Sequence, residues 1–240
     1  MSLTLIGTGI AFDLTLNAIE ELKNSDEIYI ETYTNLIEEE KIEKLEKMIN
    51  KKINLLERNQ VESSFLVKQA KTAKIALLAS GDPLTATTHV SLLIDAKKAN
   101  ISVKVIYNSS IFTVAAGKAG LQIYRFGKTA SLVNPRPNYK PISALDIIRE
   151  NQARNAHTLV LLDTEPKPMD AKVALELVEA GGLMVDALVV LSRLGEKDEK
   201  IIYGEIEKLK NADLGKPPFS IIIPAKLHMV EEEYIEFHKV

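Results

Sequence analysis

Four short apolar runs, Leu3 to Ile6, Glu27 to Glu31, Ile75 to Ala79 and Val103 to Tyr107, are each about one strand long, and helical periodicity fills the spaces between them. Leu14 to Lys23 puts Leu14, Ala18 and Leu22 on one face. Leu36 to Ile49 sets Ile42, Leu45 and Ile49 against a Glu/Lys face. Residues 60–72 and Thr85 to Asn100 read as further helices, and residues 53–56 as a short strand. Strands alternating with helices require crossover connections. The first half is therefore expected to form a mostly parallel sheet with helices on its faces.

The rhythm changes after about residue 112. Thr129 to Val133, Thr158 to Leu162, Leu188 to Ser192, Lys200 to Tyr203 and Ser220 to Ile223 read as strands. Helices are expected near 143–153, over 170–180 with a stop at Gly181-Gly182, and over Glu231 to His238. Both helices and short turns join these strands, which fits a mixed sheet. The expected fold is α/β with two domains, 1–112 and 113–240, joined near residues 108–118.

Composition narrows the chemistry. Of 240 residues, 46% are hydrophobic and 26% charged, an ordinary globular mix. No cysteine is present, which excludes disulfides, thiolate-bound zinc, iron–sulfur clusters and a thiol nucleophile. The longest uncharged run, Val105 to Gly117, is shorter than the ~20 residues a membrane span needs. The opening MSLTLIGTG lacks the basic start of a secretory signal, so a cytoplasmic protein is expected. A net charge of −3 argues against wholesale nucleic-acid binding. No Asp or Glu lies between Asp95 and Asp146, a stretch holding Lys97, Lys98, Lys104, Lys118, Arg125, Lys128, Arg136 and Lys140. It reads either as a basic face for an acidic partner or as buried structure where carboxylates are scarce.

Three turns follow the apolar runs and carry the candidate chemistry. Gly7-Thr8-Gly9 opens a glycine-rich turn after the first strand, and Glu31 stands where a dinucleotide fold places its ribose-binding acid. Phe12 replaces the third glycine of G-x-G-x-x-G, which weakens that reading. The second turn is Ser80-Gly81-Asp82-Pro83-Leu84-Thr85-Ala86-Thr87-Thr88-His89. Asp82 could cap a helix with Pro83 at its first position. Three threonines within four positions suit a ligand-facing turn better than a helix. The third is Asn108-Ser109-Ser110-Ile111-Phe112, where Ser110 is either an N-cap or part of a ligand-facing helix start. His89, His157, His228 and His238 form no H-x-x-x-H pair and none stands near a supporting carboxylate cluster in the sequence, so no metal site is expected. Asp163 and Arg193, each just after an apolar run, are further pocket candidates.

The string Gly81 to His89 resembles the GDPLxATTH segment of the diphthine synthase family, methyltransferases of the tetrapyrrole-methylase-like class that use S-adenosylmethionine. The likeness extends along nearly the whole chain. Ile6-Gly7-Thr8-Gly9, Asn108-Ser109-Ser110-Ile111, Gly120 to Lys128, His157-Thr158-Leu159 with Leu161-Leu162-Asp163, Arg193-Leu194-Gly195 and Gly215-Lys216-Pro217-Pro218 are each similar to family elements, in order.

The resemblance implies two α/β domains with S-adenosyl-L-methionine in the cleft between them, and a homodimer. It implies a protein substrate, translation elongation factor 2, at a histidine already carrying a 3-amino-3-carboxypropyl group; archaeal relatives trimethylate its amine to diphthine. The family's ligand contacts fall on Ile10, Asp82, Thr85, Ser110, Ile111, Leu162, Leu194 and Phe219, several of which could act only through backbone or apolar surface. Phe219 replaces a usual histidine, residues 112–120 run one residue longer, and Ile10-Ala11-Phe12-Asp13 stands where wider tetrapyrrole methylases have GPGD. Methyl transfer from a sulfonium to a neutral amine needs positioning rather than a metal or covalent nucleophile, so no catalytic residue is assigned. The alternatives are a related methyltransferase acting on a corrin-type macrocycle or ribosomal RNA, a nicotinamide-dependent oxidoreductase, and an inactive module that binds the translation factor.

Overall fold

A computed structural model describes residues 1–34, 36–135 and 142–240. The chain divides into two compact units, Met1–Ile111 and Phe112–Val240.

In the first unit the elements run β1 (Ser2–Gly7), α1 (Leu16–Asn24), β2 (Glu27–Glu31), α2 (Glu39–Ile49), β3 (Asn54–Leu56), α3 (Arg58–Val61), α4 (Phe65–Gln69), β4 (Lys74–Ala79), α5 (Val90–Lys98) and β5 (Ser102–Ile106). The strands form one sheet in the order β3-β2-β4-β1-β5, and every pairing is parallel. Alternation along the strands sorts two cores. Leu3, Leu5, Tyr29, Ile75 and Leu77 pack with Val61, Leu66, Leu92 and Ala96 of α3, α4 and α5. Ile6, Ile28, Ile30, Ala76 and Leu78 pack with Ala18, Leu22, Leu45 and Ile49 of α1 and α2. Both faces are covered, which is why these strands read as nearly continuous apolar runs. Local chemistry ends the helices. Thr15 caps α1 by accepting from the Ala18 N–H at 3.2 Å, and Asn50 closes α2 in the left-handed region.

Two expectations for this unit fail informatively. The helix read over Thr85 to Asn100 begins only at Val90. Ala86 takes a φ of +56°, which no right-handed helix contains, and the Thr85 and Thr87 hydroxyls bond locally to Asp82 and to the Pro83 carbonyl. The helix read over 60–72 is split into α3 and α4, because the Ser63 and Ser64 segment turns between them.

Helix α6 (Ile111–Lys118) carries the chain onward to β6 (Ala130–Leu132), α7 (Ile142–Ala153), β7 (Thr158–Leu162), α8 (Ala171–Ala180), β8 (Leu188–Ser192), β9 (Lys200–Gly204), α9 (Ile206–Asn211), β10 (Phe219–Ile223) and α10 (Met229–Ile235). The sheet order is β6-β7-β10-β8-β9. β6 and β7 are parallel, while β10 runs antiparallel to both β7 and β8, and β8 to β9. Leu132, Ile148, Val160, Leu175, Val178, Val190, Ile221 and Ile223 build the core of this unit under α7 and α8. Asp170 caps α8 through the Lys172 N–H at 2.8 Å, and Gly181 ends it, as the sequence indicates. An α/β fold with one parallel and one mixed sheet is therefore observed. No helix among the described residues is long and apolar enough to cross a membrane.

Candidate active site

In a parallel sheet every strand delivers its following loop to the same edge. Strand order then decides which loops meet. β4, β1 and β5 are consecutive, so the turns after Ala79, Gly7 and Ile106 lie side by side at the carboxyl edge. Hydrogen bonds join them. Gly9 and Gly81 exchange backbone bonds at 3.0 and 3.2 Å, and the Thr8 N–H reaches the Ala79 carbonyl at 2.9 Å. The Ser109 hydroxyl accepts from the Ile10 N–H at 3.3 Å.

Asn108 is the residue that sequence reasoning undervalued. Its side-chain amide donates to the Gly7 carbonyl at 3.1 Å and to the Asp13 carbonyl at 2.7 Å. Its Oδ1 accepts from the Ser109 N–H at 2.8 Å. One amide thus ties the end of β1 to the end of β5. The space is close-packed there: a Cβ at Gly7 would lie 2.5 Å from the Gly81 carbonyl oxygen, and one at Gly9, whose φ is +72°, 3.1 Å from the Asn108 amide. The first glycine pair is required by this stitching, whether or not a ligand approaches.

Asp82 sits half-buried at the centre of the edge. Its Oδ1 accepts from the Leu84 N–H and the Thr85 hydroxyl, both at 3.0 Å, and its Oδ2 from the Asn108 N–H at 3.4 Å. The carboxylate therefore organises a turn rather than capping a helix. An ionised carboxylate has about four lone-pair sites, so acceptor capacity remains on the side of the long Oδ2 contact. Ile10 and Ile111 flank this edge half-exposed, and Ser110 is buried beside it.

Glu31 does not stand ready for a ribose. It is 0% exposed, and it accepts from the Ser80 N–H at 3.2 Å on Oε1 and from the Tyr33 and Thr34 N–H groups at 3.2 and 2.9 Å on Oε2. It fastens the loop after β2 to the loop after β4.

In the second unit, Leu162 ends β7, Phe219 begins β10 and Leu194 follows β8. Phe219 pairs with Ser192, Ser220 with Leu161, and the Arg193 N–H donates to the Pro218 carbonyl at 3.1 Å. The three therefore share one edge of the mixed sheet. The side chains of Leu162 and Phe219 pack in the core, so at that edge they present backbone. Asp163 and Arg193 have local partners. Asp163 accepts from the Asn134 N–H at 3.1 Å, and Arg193 pairs with Asp198 at 2.7 Å, an ion pair that lowers the Asp198 pKa.

His157 has a carboxylate partner from a segment remote in the sequence. Its Nε2 lies 3.3 Å from Glu231, and its Nδ1 accepts from the Ala225 N–H at 2.9 Å. A ring nitrogen that accepts an N–H carries no proton, so the proton is on Nε2 and points at the carboxylate. Glu231, 0% exposed, also takes the Gln122 N–H at 2.9 Å, the His228 N–H at 2.8 Å and the Arg125 guanidinium. Burial pushes the His157 pKa down, and the neighbouring carboxylate only partly offsets this. Burial alone would raise Glu231, but the two backbone N–H donors and His157 outweigh it, and its pKa falls.

Four basic residues of the acid-free stretch pair with acids that lie outside it in the sequence. Lys104 pairs with Glu21 at 2.6 Å, Lys128 with Glu150 at 2.8 Å, Lys118 with Glu199 and Arg125 with Glu231. Arg136 and Lys140 lie outside the described residues. No group of three or more His, Asp or Glu side chains suited to a metal ion occurs among the described residues.

A parallel sheet whose consecutive carboxyl-edge loops are glycine-lined and carboxylate-centred, followed by a mixed sheet, defines a class. The profile of the tetrapyrrole (corrin/porphyrin) methylases matches residues 2–210. A diphthine synthase of Methanocaldococcus jannaschii is 42% identical, with 94% of this chain and 93% of that protein covered. One from Staphylothermus marinus is 38% identical over 97% and 91%. A crystal structure of a diphthine synthase superposes with a TM-score of 0.91 at 33% identity, covering 100% of this chain and 96% of that one. The chain belongs to the diphthine synthase family of tetrapyrrole-methylase-like methyltransferases.

Proposed function

We propose that this methyltransferase uses S-adenosyl-L-methionine to methylate the 3-amino-3-carboxypropyl histidine of translation elongation factor 2, giving diphthine. The supporting observation is the stitched carboxyl edge, which gathers Ile10, Asp82, Thr85, Ser110 and Ile111 from three separate turns. The donor supplies a methyl group on a sulfonium, a cationic centre with a good leaving group. Residues of this edge suit such a molecule. The half-buried Asp82 carboxylate offers spare acceptor capacity to a cation, Ile10 and Ile111 offer apolar wall, and the glycine turns let backbone approach closely. On the mixed sheet, Leu162, Leu194 and Phe219 would contribute backbone groups. That role tolerates phenylalanine at 219, because its side chain is committed to the core.

The reaction asks for a neutral amine held in line with the methyl group and for exclusion of water. In this reading the stitched loops perform both tasks, and no side chain is assigned as general base. The third methylation starts from a tertiary amine, which when neutral has no N–H to lose. The same reading includes a cytoplasmic homodimer that acts on protein rather than nucleic acid.

The test is mass spectrometry of elongation factor 2 carrying the aminocarboxypropyl histidine, before and after incubation with the protein and donor. Mass gains in steps of one methyl group on that residue are expected. An unmodified factor, with methyl transfer instead to a corrin-type macrocycle or ribosomal RNA, would replace the reading.

A further inference from the structure

His89 ends the loop that Asp82 begins, and it is 1% exposed. Its Nδ1 lies 2.9 Å from the Pro83 carbonyl oxygen. A carbonyl only accepts, so the proton of the neutral ring sits on Nδ1, and Nε2 is left as an acceptor. The group facing Nε2 is the Tyr33 hydroxyl, at 3.4 Å. Tyr33 is itself held from two sides. Glu31 takes its N–H, and the Arg58 guanidinium lies 4.6 Å above its ring. Glu31 in turn takes the N–H of Ser80, where the loop leaves β4. The contacts close a circuit: Glu31 grips both Ser80 and Tyr33, Tyr33 meets His89, and His89 reaches back to Pro83.

The loop enclosed by this circuit is the one in which the Thr85 hydroxyl meets Asp82, and the Thr87 hydroxyl donates to the same Pro83 carbonyl at 3.0 Å. Pro83 has no N–H, so its carbonyl is the only backbone hydrogen-bonding group through which that residue can be fixed. We infer that His89, as the Nδ1–H tautomer backed by Tyr33, is a positioning residue that sets the shape of the Asp82–Thr88 loop for the methyl donor. The inference rests on the reading of that loop as the donor site. His89 is buried beneath the loop and acts through Pro83 without touching the donor.

The experiment uses the full-length protein and S-adenosylmethionine, with three readouts on each preparation: nitrogen chemical shifts of the histidines, donor affinity by calorimetry, and melting temperature without ligand. In wild type the His89 Nδ1 should show the shift of a protonated ring nitrogen. His89→Asn places its amide N–H near the position of Nδ1 and should keep donor affinity within about threefold. His89→Gln places the amide one carbon further out and should weaken donor binding about tenfold or more. The two variants should melt at similar temperatures, since each removes the ring. A protonated Nε2 with bare Nδ1 in wild type would overturn the inference whether or not the variants fold. So would equal donor affinities for the two variants. Failure of wild type itself to bind S-adenosylmethionine would instead strike the donor-site reading.

Discussion

Two carboxylates, one in each unit, each gather several donors, yet they end in opposite states: Glu231 draws most of its donors from other segments, whereas Asp82 draws two of three from its own loop. Glu231 is sealed: four donors converge on it, and no part of it meets solvent. Asp82 is half-exposed, with three contacts, one of them long. A buried charge must be satisfied by its own protein, whereas one at a sheet edge can leave capacity for something that arrives. Saturation therefore separates a carboxylate that holds the fold from one suited to a ligand. Sheet topology produces the contrast. The parallel sheet presents three neighbouring loops at one edge. In the second unit, the Glu231 cluster instead ties α10 to the segments before β6 and β7.

The largest effect should come from breaking the sealed cluster. Glu231→Ala would leave Arg125 unpaired, and the His157, Gln122 and His228 donors unmet. Losing one partner of a buried ion pair costs about 3–5 kcal/mol. Urea unfolding should show a loss of that order, while the molecules that remain folded keep their donor affinity. Should donor affinity fall about tenfold in the folded fraction, the cluster would not be purely structural.

Next in size is Gly7→Ala at the open edge. The added methyl would meet the Gly81 carbonyl at 2.5 Å and the Pro83 Cδ at 2.9 Å, so the two loops must part. Overpacking of this kind costs about 1–3 kcal/mol, and donor binding should weaken about tenfold or more as well. Loss of stability with unchanged donor affinity would show that the loops do not form a donor site.

A smaller effect is the pH dependence of the sealed cluster. The folded-state pKa of His157 is depressed below 6.5, so below that value the unfolded chain binds the extra proton first. Its contribution is present above pH 6.5 and lost as the pH falls through the lowered folded value. Glu231, also depressed, loses its contribution at lower pH still, through the carboxylate range. Stability should thus decline on acidification from about pH 6.5. His157→Gln, less stable overall, should flatten the first part of the decline. An unchanged slope in that variant would assign the acid sensitivity elsewhere.

These contrasts explain what the sequence disclosed. The central strands of the parallel sheet were legible because both faces are buried, so β1, β2 and β4 appear as apolar runs. The three edge turns were legible because each follows such a run directly. Strand order was not: nothing in local spacing says that β4 lies beside β1, and Asn108 gains its importance only from that adjacency. His157 and Glu231 are 74 positions apart, and Glu231 stands in a Glu-Glu-Glu run that reads as a solvated face. Its capping box with His228, at a spacing of three, is the local signal that could have singled it out. The helix over Thr85 to Asn100 was overextended because apolar periodicity outweighed three threonines whose hydroxyls prefer local bonds. The pairing of Lys104, Lys128, Lys118 and Arg125 was not legible, because the acids they meet, Glu21, Glu150, Glu199 and Glu231, all come from outside the basic stretch.

The central claim is that Asp82 serves a ligand as well as its own loop, and Asp82→Asn tests it most directly. The asparagine Oδ1 can still accept from Leu84 and Thr85, so the turn should survive and the melting temperature without ligand should stay close to wild type. The charge facing the donor is gone, and charge-assisted hydrogen bonds contribute about 1.5–3 kcal/mol. With about 1.4 kcal/mol per factor of ten, the S-adenosylmethionine dissociation constant should rise at least about tenfold. A lowered melting temperature with unchanged donor affinity would contradict the account and make Asp82 a structural residue like Glu231.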